Sequence, residues 1–195
     1  MYWSQLKKKI ESNFCEPLRK RIALHVVLYR TRKTPHIALG EMRILVDRLI
    51  VFRSNSHEAE IFWNAVCQQV KMDQTVEKKN RYLEAGRRMD KLAMSGHENS
   101  QRILQDYLSY SIDEAMASEK ILIRALGMID RRLGKRRLVR IKLKEDEHPL
   151  IRLFYELRRF SEGLGPEPQL SKGCADRVRV FKKSKQIPLR ASSHV

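Results

Sequence analysis

Cysteine, glycine and long apolar runs are all scarce in this chain of 195 residues. Its three cysteines, Cys15, Cys67 and Cys174, are odd in number and widely scattered, with no Cys-x-x-Cys pair. That excludes a disulfide framework and a zinc knuckle, and it fits a reducing compartment. Eight glycines form no Gly-x-x-x-x-Gly-Lys-Ser/Thr loop, no Gly-x-Gly-x-x-Gly fingerprint and no Gly-x-Ser-x-Gly elbow, so the common phosphate-cradling and nucleophile turns are missing. The longest apolar stretch, 22–29, is broken by His25 and falls far short of the roughly 20 residues that cross a bilayer. The first residues, Met-Tyr-Trp-Ser-Gln-Leu-Lys-Lys-Lys, lack the apolar centre and cleavage site of a secretory signal, and a cytoplasmic location is expected. Six histidines match no zincin, deaminase or facial-triad spacing, so no metal and no cofactor are expected.

Negative charge is absent from one stretch altogether. Residues 131–144 hold eight Lys or Arg and no acid. Residues 120–195 carry +12 of the chain's net +17. Such density repels itself unless a polyanion, an acidic partner or counter-ions lie against it. The candidate phosphate- or acidic-partner-binding residues are Arg131, Arg132, Lys135, Arg136, Arg137, Arg140, Lys142 and Lys144. Arginine dominates, and its planar fork suits phosphate oxygens better than the point charge of lysine. The competing reading is a solvated face whose arginines pair with Asp130, Glu145, Asp146 and Glu147, or an Arg-carboxylate knot inside the fold around Asp130.

An α+β fold of one domain over residues 1–165 is predicted, followed by a basic flexible tail, 166–195. Trp3, Leu6, Ile10 and Phe14 recur at helical spacing, and Pro17 ends that helix. Residues 22–29, 41–46 and 49–52 read as a three-stranded antiparallel meander whose weakest link is the Asp47-Arg48 turn. A mostly helical half follows from residue 56. It contains helices over 57–70, 75–93 (stopped by Gly96) and 99–108, with a capping box at Ser111-Ile-Asp-Glu114. Leu122, Ala125, Leu126, Ile129 and Leu133 predict one helix closed by Gly134, and 139–144 alternate as an extended segment with one basic face. Pro149 opens a last helix that ends near Gly163. Phe154, Tyr155 and Phe160 fall at core-like spacing, as do Trp3, Trp63 and Cys67. In the tail, 177–181 is a candidate short strand and Lys172 to Arg190 an auxiliary basic arm.

Several of these segments resemble an uncharacterised family of small bacterial proteins. The resemblance rests on Trp3-Ser-Gln-Leu-Lys-Lys8, on 25–30, on Tyr107-Leu108 and Ser111 to Ala115, and on Leu122 to Leu126. It continues through Asp130-Arg-Arg-Leu-Gly-Lys-Arg-Arg-Leu138, Glu147 to Leu150 and Phe154 to Arg158. It implies a compact cytoplasmic α+β protein with no established activity. The middle, 75–97, and the tail beyond Pro166 depart from that pattern.

The residues themselves therefore suggest a non-enzymatic protein that meets an acidic polymer, RNA or DNA, through its phosphates. The alternative is an interaction module of inhibitor or immunity type docking on an acidic protein. An enzyme is the third possibility, and Glu114, His148 and Glu156 are the residues to inspect for a shared cleft. A hairpin pairing of His25 with His36 is a further candidate juxtaposition.

Overall fold

The computed structural model describes residues 2–29, 39–91 and 97–170. Helix α1 (Trp3–Asn13) buries Leu6 and Ile10, and a short 3-10 turn, Glu16–Leu18, leads into the sheet. Strands β1 (Ile22–Tyr29), β2 (Leu39–Val46) and β3 (Leu49–Asn55) form an antiparallel meander in the order β1-β2-β3. β2 and β3 each run longer than their apolar pattern predicts. The two-residue turn between them holds Asp47 and Arg48 at φ 48° and 67°, the left-handed pair a tight hairpin demands even without glycine. Arg21 supports the turn: its carbonyl accepts from Asp47 N (2.7 Å), and its guanidinium grips the Asp47 carboxylate through Nε (3.0 Å) and Nη2 (2.6 Å).

Alternation along the strands separates two faces. Leu24, Met42, Ile44, Val46 and Phe52 are buried in the main core with Leu6, Ile10 and Phe14. On the opposite face the register aligns His25, Arg43 and Arg53 across the three strands. Two guanidinium groups directly opposite one another repel. Glu41, almost fully buried, holds both: Arg43 Nε donates to it at 2.8 Å and Arg53 forms an ion pair with it. His25 is thus placed opposite Arg43, and His36 lies outside the described residues.

Helix α2 (Ser56–Met72) continues directly from β3. Helix α3 spans Arg81–Lys91, later than predicted, because the Asp73 carboxylate accepts from Thr75 N (3.1 Å) and Thr75 Oγ1 (2.6 Å) and turns the chain there. Tyr82 and Leu83 are exposed, and the expected stop at Gly96 lies outside the described residues. α2 and α3 close their own small core of Val66, Val70, Ala85 and Met89, with Trp63 edge-on to Tyr82.

Helix α4 (His97–Ser109) is followed by α5 (Ile112–Ala117), whose N-terminus carries the expected capping box: Glu114 N donates to Ser111 Oγ and Ser111 N to Glu114 Oε2. Helix α6 (Ile121–Ile129) buries eight of its nine residues and is the central rod of the core. It stops four residues before Leu133, because Asp130 adopts extended backbone (φ −69°, ψ 133°) to bridge antiparallel to Phe14. Gly134 therefore starts a helix rather than ending one. It is the N-cap of α7 (Lys135–Arg140), which replaces the first part of the predicted extended segment; 141–144 then run without regular structure. Helix α8 (Pro149–Ser161) carries Pro149 at its first position, and Gly163 at φ 70° follows it. Of the predicted tail, 166–170 are described: Glu167 pairs with Arg21 at 2.5 Å and Leu170 packs on the main core. The arm at Lys172 to Arg190 and the candidate strand at 177–181 lie outside the described residues.

Candidate polyanion-binding surface

The cationic segment begins on a buried carboxylate. Asp130 is 0% exposed and accepts from Tyr107 Oη (2.5 Å), from the backbone N–H of Arg132 (2.8 Å) and from Arg132 Nε (3.0 Å) and Nη2 (2.7 Å). Arg132 Nη1 donates to Tyr110 O (2.8 Å), and the guanidinium carbon lies 5.7 Å from the centroid of the Tyr107 ring. Burial first, and then the neighbouring Asp130 charge, pushes the Tyr107 phenol well above its ordinary value. The hydrogen bond to Asp130 raises the Arg132 guanidinium further, so Arg132 stays charged. Two main-chain bonds fix the same turn to the N-terminal helix: Cys15 N donates to Ile129 O (2.9 Å) and Arg131 N to Asn13 O (2.7 Å).

The side chains of the segment therefore fall into two groups. Arg132 is held by Asp130, Arg137 is paired with Asp113, and Lys135 Nζ donates to the Glu162 carbonyl (2.7 Å). The Arg137–Asp113 pair is exposed on both sides and is weak for that reason. Arg131, Arg136, Arg140, Lys142 and Lys144 are exposed, and their side chains have no hydrogen bond or ion pair with the protein among the described residues. The acidic turn beside them forms no ion pair with them among the described residues: Glu147 pairs with Arg124 (2.6 Å), and Arg152 donates to the carbonyls of Lys144 and Glu145. The knot around Asp130 and the free cations thus coexist within one segment.

Leu138, fully buried with Leu133 and Ile112, is the peg that seats α7, and the residues on either side of it project outward. Val139, 60% exposed, is the apolar exception among them. Helix α8 forms the neighbouring wall. Arg158, 4% exposed, donates to Leu133 O (3.2 Å) and pairs with Glu162 (2.9 Å). Sequence reasoning missed this residue, although it shares the apolar face of α8 with Phe154 and Leu157, which was the available signal. Tyr107 and Arg124 were missed as partners as well. Their anions lie 23 residues away in the chain, beyond any local pattern.

The three residues considered for catalysis are dispersed. Glu114 serves the capping box, and its acceptance of the Ser111 N–H holds its carboxyl below the usual range. His148 caps α8, its Nδ1 accepting from Leu150 N (3.1 Å), while Glu156 is exposed farther along that helix. A depression of about 560 Å³ lined by Arg87, Tyr110, Glu114 and 117–120 includes neither His148 nor Glu156. Among the described residues no three His, Cys, Asp or Glu side chains are grouped to hold a metal, and no helix is long and apolar enough to cross a membrane.

The chain belongs to the SF0329 protein family, whose model matches residues 2–159. No curated protein and no solved structure matches it. The matched span includes the Asp130 knot, all of α7 and most of α8.

Proposed function

We propose that this SF0329-family chain binds nucleic acid through its phosphates, using the exposed cations of 131–144. The observation that carries this reading is the group Arg131, Arg136, Arg140, Lys142 and Lys144, solvent-facing and without a protein anion among the described residues. Arg132 serves the surface differently: locked to Asp130, it sets the turn from which the others project. Each cation that meets a phosphate releases counter-ions, so affinity falls with salt by a power of about 0.7 to 0.9 per contact. Five contacts give a slope of log K on log salt of roughly −3.5 to −4.5.

Fluorescence anisotropy of a labelled oligonucleotide between about 50 and 200 mM salt reads that slope directly. Replacing Arg136 and Arg140 together by Glu should make it shallower by about 1.5 to 2 and weaken binding at least tenfold at the lower salt. Binding that is absent at low salt, or indifferent to salt, rejects the reading.

One observation favours a second reading, an interaction module docking on an acidic protein. Val139, exposed in the middle of the cations, is the kind of residue that a protein partner covers and phosphates do not. A stoichiometric partner that survives nuclease treatment and is lost on Val139→Asp supports this alternative. An unchanged complex with that variant counts against it.

A further inference from the structure

Two hydrogen bonds tie the last turns of α8 to the two ends of α7. At one end Tyr155 Oη donates to Ile141 O (3.1 Å), just past α7; at the other, Lys135 Nζ at the start of α7 reaches Glu162 O (2.7 Å). Between these ties sits Arg159. Its guanidinium carbon is 5.6 Å from the centroid of the Tyr155 ring, and its Nη2 donates to Leu164 O (2.8 Å). Tyr155 and Leu164 in turn rest on the Leu133–Leu138 cluster that seats α7. The side chain is exposed and has no carboxylate partner among the described residues. A flat cation supported beneath by a ring and fixed by a hydrogen bond has already lost the rotamer freedom that a mobile arginine would lose on binding.

We propose that Arg159, laid on Tyr155 at the border of the cationic segment, stacks an unpaired nucleobase, and that the nucleic acid taken by this surface is single-stranded. The inference rests on the phosphate-binding reading above and adds the strand class. Phosphates alone do not distinguish one strand from two, whereas a stacking plane does, because the base faces of a duplex are already covered by their neighbours. Lysine in this place would keep the charge and lose the plane.

The test uses the full chain and three labelled probes of about twenty nucleotides: a single strand, the same strand annealed to its complement, and the same strand with abasic sites in place of its bases. Wild type should favour the single strand over both others by about tenfold or more, the worth of one stacked base. Arg159→Lys should abolish that preference while leaving duplex affinity and the salt slope unchanged. Tyr155→Phe, which keeps the ring and loses only the bond to Ile141 O, should retain it. Equal wild-type binding to all three probes, or an equal loss on single strand and duplex with Arg159→Lys, overturns the stacking role and leaves the phosphate reading standing. No salt-sensitive binding to any probe removes both.

Discussion

The Asp130 knot makes a quantitative demand on stability. Tyr107 and Asp130 are both 0% exposed, and the 2.5 Å bond between them joins a phenol to a buried carboxylate. Hydrogen bonds to charged groups contribute about 1.5 to 3 kcal/mol. In Tyr107→Phe the carboxylate keeps Arg132, so it is not orphaned, and the loss should fall near the low end, about 1.5 to 2 kcal/mol. Asp130→Asn is more severe. The amide offers one acceptor where two were used, presents a donor to other donors, and leaves Arg132 without its anion. Breaking a buried pair costs about 3 to 5 kcal/mol, and with the Arg132 side chain 34% exposed a loss of about 2 to 4 is expected. For a chain of this size each kcal/mol moves the melting point by about 2 to 4 °C, so Tyr107→Phe should melt about 3 to 8 °C lower. Urea unfolding followed by circular dichroism of both variants and the double variant measures these losses. Because the two residues share one hydrogen bond, the double variant should lose less than the sum, by about 1 kcal/mol or more. A cost below about 0.5 kcal/mol for Tyr107→Phe, or strict additivity, would refute the claim that this bond ties α4 to the turn.

Four further outcomes follow from local geometry. Arg48→Gly should stabilise the chain by about 1 kcal/mol in the same assay, since only the left-handed strain of the β2–β3 turn changes and the Arg21–Asp47 grip is kept. Gly127→Ala in α6 should be neutral to about 1 kcal/mol stabilising: the new methyl meets the Met116 sulfur at 3.1 Å, and that flexible tip can yield, while the helix gains propensity. Thr75 and Arg88 hold the Asp73 carboxyl down at about 2, below the ordinary 3.8. Its contribution to stability is complete above the unfolded value and fades as pH falls from about 3.8 towards about 2, so carboxyl-carbon NMR should find Asp73 still ionised at pH 3. The hydrogen bond from Arg43 holds Glu41 below its usual range in the same sense, so Glu41→Gln should flatten the acid limb of the stability curve and weaken the pairing of Arg43 with Arg53.

Where periodicity decides structure, the sequence was readable. The amphipathic spacing of α1, the three apolar strands, the Ser111 capping box and Pro149 at the head of α8 are local signals, and each appears where it points. Misreadings arose where a distant partner outweighs the local pattern. Leu133 continues the stripe of α6 on paper, yet the bridge of Asp130 to Phe14 breaks the helix first. Val139, Ile141 and Leu143 alternate like a strand, but a strand needs a neighbour to pair with, and among the described residues this stretch has none. In the site, charge density pointed to the segment and the sequence neighbourhood of Asp130 offered an Arg-carboxylate knot as one alternative, while composition did not say which arginine that carboxylate would hold. Asp130 takes Arg132 through a turn two residues long, and Tyr107, brought in by α4, completes the knot.

The bridge between Phe14 and Asp130, reinforced by the bonds from Cys15 and Arg131, has a temporal consequence. A chain made from its amino end completes α1 and the meander early and can pack them on each other, yet the bridge that fastens the end of α1 waits for Asp130, more than seventy residues past the end of the meander. Closing so wide a loop is entropically slow, so the helix–sheet half must wait, partly uncovered, for its own carboxyl-terminal third to emerge and lock it.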